Sequence, residues 1–123
     1  MTDLRRERGG DPAIDTLSDD RRIIESILTD YASIPYAHGE VDRRTVFDRE
    51  GDHYLLMISG WDEGRVHGCI VHVDLIDGKF WIQRDGTEDG IATELEAAGV
   101  SKERIVLGFR EPKIRPYTGY AVA

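Results

Sequence analysis

Apolar residues first recur at helical spacing in Ile23, Ile24, Ile27, Leu28, Tyr31 and Ile34, which predicts an amphipathic helix of about four turns. Ser18 is placed to cap it, and Asp19 and Asp20 suit the positive first turn. Pro35 restricts Ile34 and closes the helix, and Gly39 marks the following turn. From Val41 to Arg84 the pattern changes to alternation of β-branched and aromatic residues with polar ones, which reads as strand.

Two turn signals set the strand register. With Asp77-Gly78 as a two-residue hairpin loop, Leu75 faces Phe80, Val73 faces Ile82 and Val71 faces Arg84. With Glu63-Gly64 as the preceding loop, Ile58 faces Cys69, Leu56 faces Val71 and Tyr54 faces Val73. Both place Tyr54, Leu56, Ile58, Cys69, Val71, Val73, Leu75, Phe80 and Ile82 on one face, the expected core. The opposite face carries Leu55, Met57, Ser59, Trp61, Val66, Gly68, Ile70, His72, Asp74, Ile76, Lys79, Trp81 and Gln83. It is too apolar to face water alone. Its cover is either the chain's own helix or C-terminal segment, or another chain. Leu55, Met57, Trp61, Ile70, His72, Asp74 and Trp81 are the candidate interface residues.

A first strand over Thr45–Arg49 completes an antiparallel meander of about four strands. Thr87 then caps a helix from Glu88 to Ala98, with Ile91, Leu95 and Ala98 as its apolar stripe and Gly99 as its stop. Ile105 to Phe109 reads as a short fifth strand. Pro112 and Pro116 make the following stretch irregular, and Tyr117–Ala123 is apolar enough to dock. The fold class is α+β, with one helix before the meander and one after it. A charged segment, 1–17, reads as a mobile extension of a single domain over 18–123.

Composition narrows the function. A chain of 123 residues holds one core. A net charge of −8 disfavours autonomous grip on a phosphate backbone. No apolar run approaches the roughly 20 residues of a membrane span, and the N-terminus lacks a secretory pattern, so a cytoplasmic protein without membrane contact is expected. The single cysteine, Cys69, has no partner thiol and reads as a small core residue.

Candidate chemistry is sparse. Asp85, Glu88 and Asp89 offer oxygen ligands for a hard cation, but their order around Thr87 also suits a helix N-terminus. His72 and Asp74 share a face, with Gln83 across from His72 and Trp81 across from Asp74. This group suits a metal, a small ligand, an acid–base pair or a cross-strand polar cluster at an interface, and lacks a third ligand nearby in sequence. His67 reads as a hydrogen-bonded core histidine. No serine sits in a nucleophile elbow and no glycine-rich phosphate loop is present. No catalytic residue and no cofactor are assigned.

The run RVHGCIVHVDLIDGKFWIQRDGTEDGIATELEAAGVSKERIVLGF, Arg65 to Phe109, closely resembles the XisI-like family, the fdxN element excision controlling factor proteins. YASIPYAHGE, VFDRE, YLLM with Gly60-Trp61, and the final YTGYAVA are similar to that family too. The charged segment before Ser18 departs from its usual short start. The resemblance implies a small α+β protein that acts with an XisH-like companion and a site-specific recombinase in programmed excision of a DNA element. The expectation is therefore a non-enzymatic accessory factor that contacts a companion and itself, as a homodimer or higher oligomer, and reaches DNA only indirectly. The alternative is a metal-dependent enzyme, of nuclease type, using His72 and Asp74 or Asp85, Glu88 and Asp89.

Overall fold

The structure is a computed structural model that describes residues 12–35 and 39–123. Helix α1 spans Pro12–Ala32, followed by strands β1 (Glu40–Asp48), β2 (His53–Trp61), β3 (Arg65–Ile76) and β4 (Lys79–Asp85). Helix α2 (Ile91–Ala97) and a 3-10 turn lead to β5 (Ile105–Leu107). The strands form one sheet in the order β1-β2-β3-β4-β5, antiparallel except for the β4–β5 pair. The α+β expectation of a four-strand meander, a short fifth strand and two helices holds.

Both helices lie on one face of the sheet. Ile24 and Leu28 of α1 and Ile91 and Leu95 of α2 join Tyr54, Leu56, Val71, Val73, Phe80, Ile82 and Ile105 in the core. At about 1.5–3 kcal/mol for each fully buried apolar side chain, this face supplies most of the driving force for folding. The sequence places the start of α1 at Ser18, but the helix begins at Pro12. Proline fits a first helical turn, and Leu17, which packs against the core, lies seven residues before Ile24 and so extends the same stripe. Ser18 is thus inside the helix, where its hydroxyl accepts a hydrogen bond from Arg22. Residues 1–11 of the expected extension lie outside the described residues.

The turns decide the register. Asp77 and Gly78 both have positive φ, 49° and 77°, as the predicted two-residue loop requires. A Cβ on Gly78 would meet nothing within 4 Å, so Gly78→Ala should cost only the left-handed backbone penalty, about 1 kcal/mol, measurable by chemical denaturation. Between β1 and β2, Asp52 also has positive φ (58°). Its carboxylate accepts from Arg21 of α1 (2.8 and 3.1 Å) and from the Tyr54 hydroxyl (2.8 Å), tying helix to sheet. The Arg21 guanidinium, outweighing burial, holds the Asp52 carboxyl below its ordinary value.

Two bulges correct the outer register. Leu56 pairs with Val71 as expected, but Met57 pairs with Cys69 and Ile58 with Gly68, leaving Ile70 as the extra residue. The cause is a three-residue β2–β3 loop, Asp62 to Gly64, with Trp61 paired to Arg65. Ile70 therefore turns to the helix side and packs against the core, not on the outer face. Its carbonyl accepts a hydrogen bond from Gly86 N–H (2.8 Å). Cys69 is partly exposed and not a core residue, and His67, paired with Ser59, is exposed. On the other side Val73 pairs with Ile82 but His72 pairs with Arg84, and Val71 with Asp85, so Gln83 is the extra residue there.

Candidate functional site

The face away from the helices is the functional candidate. Register places Val46, Leu55 and His72 in one row across it, and Arg44, Met57 and Cys69 in the next. Trp61 closes the far end between Glu40 and Arg65, and the Arg65 guanidinium lies 5.5 Å from its ring centre. Val46 is 48% and Trp61 59% exposed, and Leu55 and Met57 are half-buried. No helix of the described residues covers this strip.

Trp81 has a different environment. The Arg115 guanidinium sits 5.3 Å from its ring centre, and Gly108 brings the C-terminal segment so close that a Cβ there would lie 3.3 Å from the ring. Arg115 also donates to the carbonyls of Arg110 (3.1 Å), Gly108 and Val122 (both 3.4 Å). Ala121 bridges to Val106 beside β5, and Tyr120 packs against the core. The chain's own tail therefore covers the β4–β5 side of the face, while the β1–β3 side stays open. Of the candidate interface residues, Leu55, Met57, Trp61, His72 and Asp74 share the open face, Trp81 lies under the tail, and Ile70 has left for the core.

At the rim of the open strip three side chains converge. His53 Nδ1 lies 2.6 Å and His72 Nε2 2.8 Å from the same oxygen, Oδ1 of Asp74, and Gln83 Nε2 donates to Oδ2 at 3.3 Å. The two rings meet edge to face, 6.2 Å apart. The Asp74 side chain is 12% exposed and that of His53 53%. Burial pushes the Asp74 carboxyl up, but hydrogen bonds from His53 and His72 outweigh it and hold the group below its ordinary value. The same bond with Asp74 raises His53. His53 is the residue missing from the sequence reading. Its signal was available, because the register that pairs Tyr54 with Val73 also pairs His53 with Asp74.

The second acidic group is organised otherwise. Asp85 Oδ1 accepts from the Thr87 amide (2.9 Å) and hydroxyl (2.5 Å), and Oδ2 from the Ile91 amide (2.7 Å). Asp85 at the end of β4, rather than Thr87, thus serves the start of α2, which begins at Ile91 and not at Glu88. Thr87 Oγ1 instead accepts from Gly90 N–H (3.1 Å). Glu88 and Asp89 are exposed in the intervening loop. Among the described residues only His53, His72 and Asp74 gather three ligand atoms, all within 4.8 Å of one another.

The fold and this face define a small α+β protein with a mixed sheet covered by helices on one side and left partly open on the other. Its relatives are specific. A family model described as XisI protein matches residues 14–122, and the chain belongs to the XisI family. A XisI-like protein from Anabaena variabilis is similar at 38% identity over 87% of this chain and 99% of its own, with a TM-score of 0.80. The fdxN element excision controlling factor XisI from the same organism is similar at 33% identity over 88% and 99%, with a TM-score of 0.75. No curated protein matches the chain significantly. No helix among the described residues is long and apolar enough to cross a membrane.

Proposed function

We propose that this chain is a non-enzymatic accessory factor of the excision-controlling type, working through protein contacts made by the open sheet face. Membership of the XisI family supports the role. The observation that carries the mode of action is the strip Val46, Leu55, Met57 and Trp61, left uncovered where the tail covers Trp81. A net charge of −8 makes direct grip on DNA unfavourable, so DNA is reached through partners: an XisH-like companion and a site-specific recombinase, with a second copy of the chain as a further occupant of the face. Charged residues such as Asp42 and Arg44 border the apolar strip, the arrangement of an interface with an apolar centre and a polar rim.

Leu55→Glu and Met57→Glu introduce a carboxylate into the centre of this strip. Each should leave a folded chain, because both side chains are only half-buried. Association with a co-expressed XisH-like protein, read by size exclusion and calorimetry, should weaken at least about a hundredfold, the cost of about 3 kcal/mol expected when an interface centre is charged. Trp81→Glu would disturb the tail contact instead and is the wrong probe. Undiminished association in both Leu55→Glu and Met57→Glu would remove the open face from the mechanism.

A further inference from the structure

We propose that His53, His72 and Asp74 form a binding site for one divalent cation of the zinc type at the rim of the open face. Two imidazole nitrogens and one carboxylate oxygen are a donor set that zinc uses in sites with three protein ligands and a remaining position for water. Magnesium and calcium favour all-oxygen sets.

The gathering of three ligand atoms from two strands within 4.8 Å of one another carries the inference. Both imidazoles aim at Oδ1 of Asp74, while Oδ2 receives only the longer bond from Gln83. Donors held about 2.0–2.1 Å from one tetrahedral ion lie about 3.3 Å apart. The nitrogen–oxygen separations, 2.6 and 2.8 Å, reach that value if they open by about 0.7 and about 0.5 Å. The His53 ring, more than half exposed, has room to move, and the Asp74 carboxylate is nearly buried and held from behind by Gln83. A hydrogen-bond partner behind a ligand is the usual device for aiming it. Neighbouring strands β2 and β3 supply all three ligands, so the frame is rigid. Asp48, paired with His53 across β1–β2, adds negative charge on the side where the cation sits.

The test uses the full, tag-free chain. Calorimetry with Zn²⁺ should show one equivalent bound, and Co²⁺ should develop the visible absorption bands of a tetrahedral ion. His53→Gln and His72→Gln should each weaken Zn²⁺ binding at least about tenfold, and Gln83→Leu should weaken it by about tenfold as an outer partner. His67→Gln, at an exposed histidine of the same strand as His72, should change nothing. Because the His53 side chain is more than half exposed, His53→Gln should stay folded, as circular dichroism would verify. Absence of saturable heat and of cobalt bands overturns the site, as does binding that survives both His53→Gln and His72→Gln. Partner association through Leu55 and Met57 is read separately, so either proposal can fail alone.

Discussion

Replacing Arg104 by methionine is expected to destabilise the fold by about 3 kcal/mol at neutral pH, lowering Tm by roughly 10 °C. Arg104 pairs through its guanidinium with Asp20 of α1, whose side chain is only 3% exposed, and its Nε donates to the carbonyl of Gly78 (3.0 Å). Methionine keeps the aliphatic packing and removes the cation, which leaves a carboxylate in an apolar setting with no counter-charge. The lower end of the range for breaking a buried pair applies because Arg104 itself is about one-third exposed. Asp20→Asn should cost less, since the arginine left behind can be solvated. The double variant should recover much of the loss, because no uncompensated buried charge remains.

The pH dependence has a definite sign. Burial pushes the Asp20 carboxyl above its ordinary value, against the pull of Arg104. The folded state therefore holds its proton to higher pH than the unfolded chain, whose aspartate titrates near about 3.9. The contribution is fully present below that unfolded value and is lost as pH rises through the folded one. Without Arg104 the folded value moves up further. Arg104→Met should accordingly lose less stability relative to the parent on acidification towards about pH 4, measured by urea denaturation at a series of pH values. A difference independent of pH would show that the lost contact was packing rather than charge.

The second large effect is expected at Asp85. Its carboxylate accepts two donors of Thr87 and the first amide of α2, that of Ile91. Asp85→Asn turns one acceptor into an NH2 group facing a donor, which should cost about 2–3 kcal/mol. Amide exchange at Ile91 should rise by a larger factor than exchange in the β3 core, since α2 loses its anchor first. Glu88→Ala and Asp89→Ala, exposed in the same loop, should stay within about 0.5 kcal/mol. If all three substitutions were equivalent, Asp85 would be one more acidic surface residue and the junction would be held by other contacts.

The contrast between Asp85 and its neighbours shows how far the chain could be read directly. Alternation and the Asp77-Gly78 loop located Leu75 opposite Phe80, Val73 opposite Ile82, and Leu56 opposite Val71, all observed pairs. Gly99 was legible as a helix stop, and the Val100 and Gly99 amides do bond back to the carbonyls of Leu95 and Glu96 (both 3.0 Å), as a Schellman ending requires. Ile70 and Gln83 were misread because a bulge adds one residue without any composition mark, and each residue beyond it changes partner. The start of α2 was misread because a capping carboxylate six residues upstream does not resemble a local cap.

The candidate site divides in the same way. Periodicity and turn chemistry, which act between residues close in the chain, determined the helices, the meander and the existence of an apolar second face. Which part of that face stays open was decided by tertiary structure, because Arg115 and the tail reach Trp81 from across the molecule. The three-sided group was likewise assembled by strand pairing: His53 meets His72 and Asp74 only because β2 lies against β3. Local pattern carries the energetics of each element, whereas the meeting of side chains distant in sequence depends on registers and packing that a single misplaced residue changes.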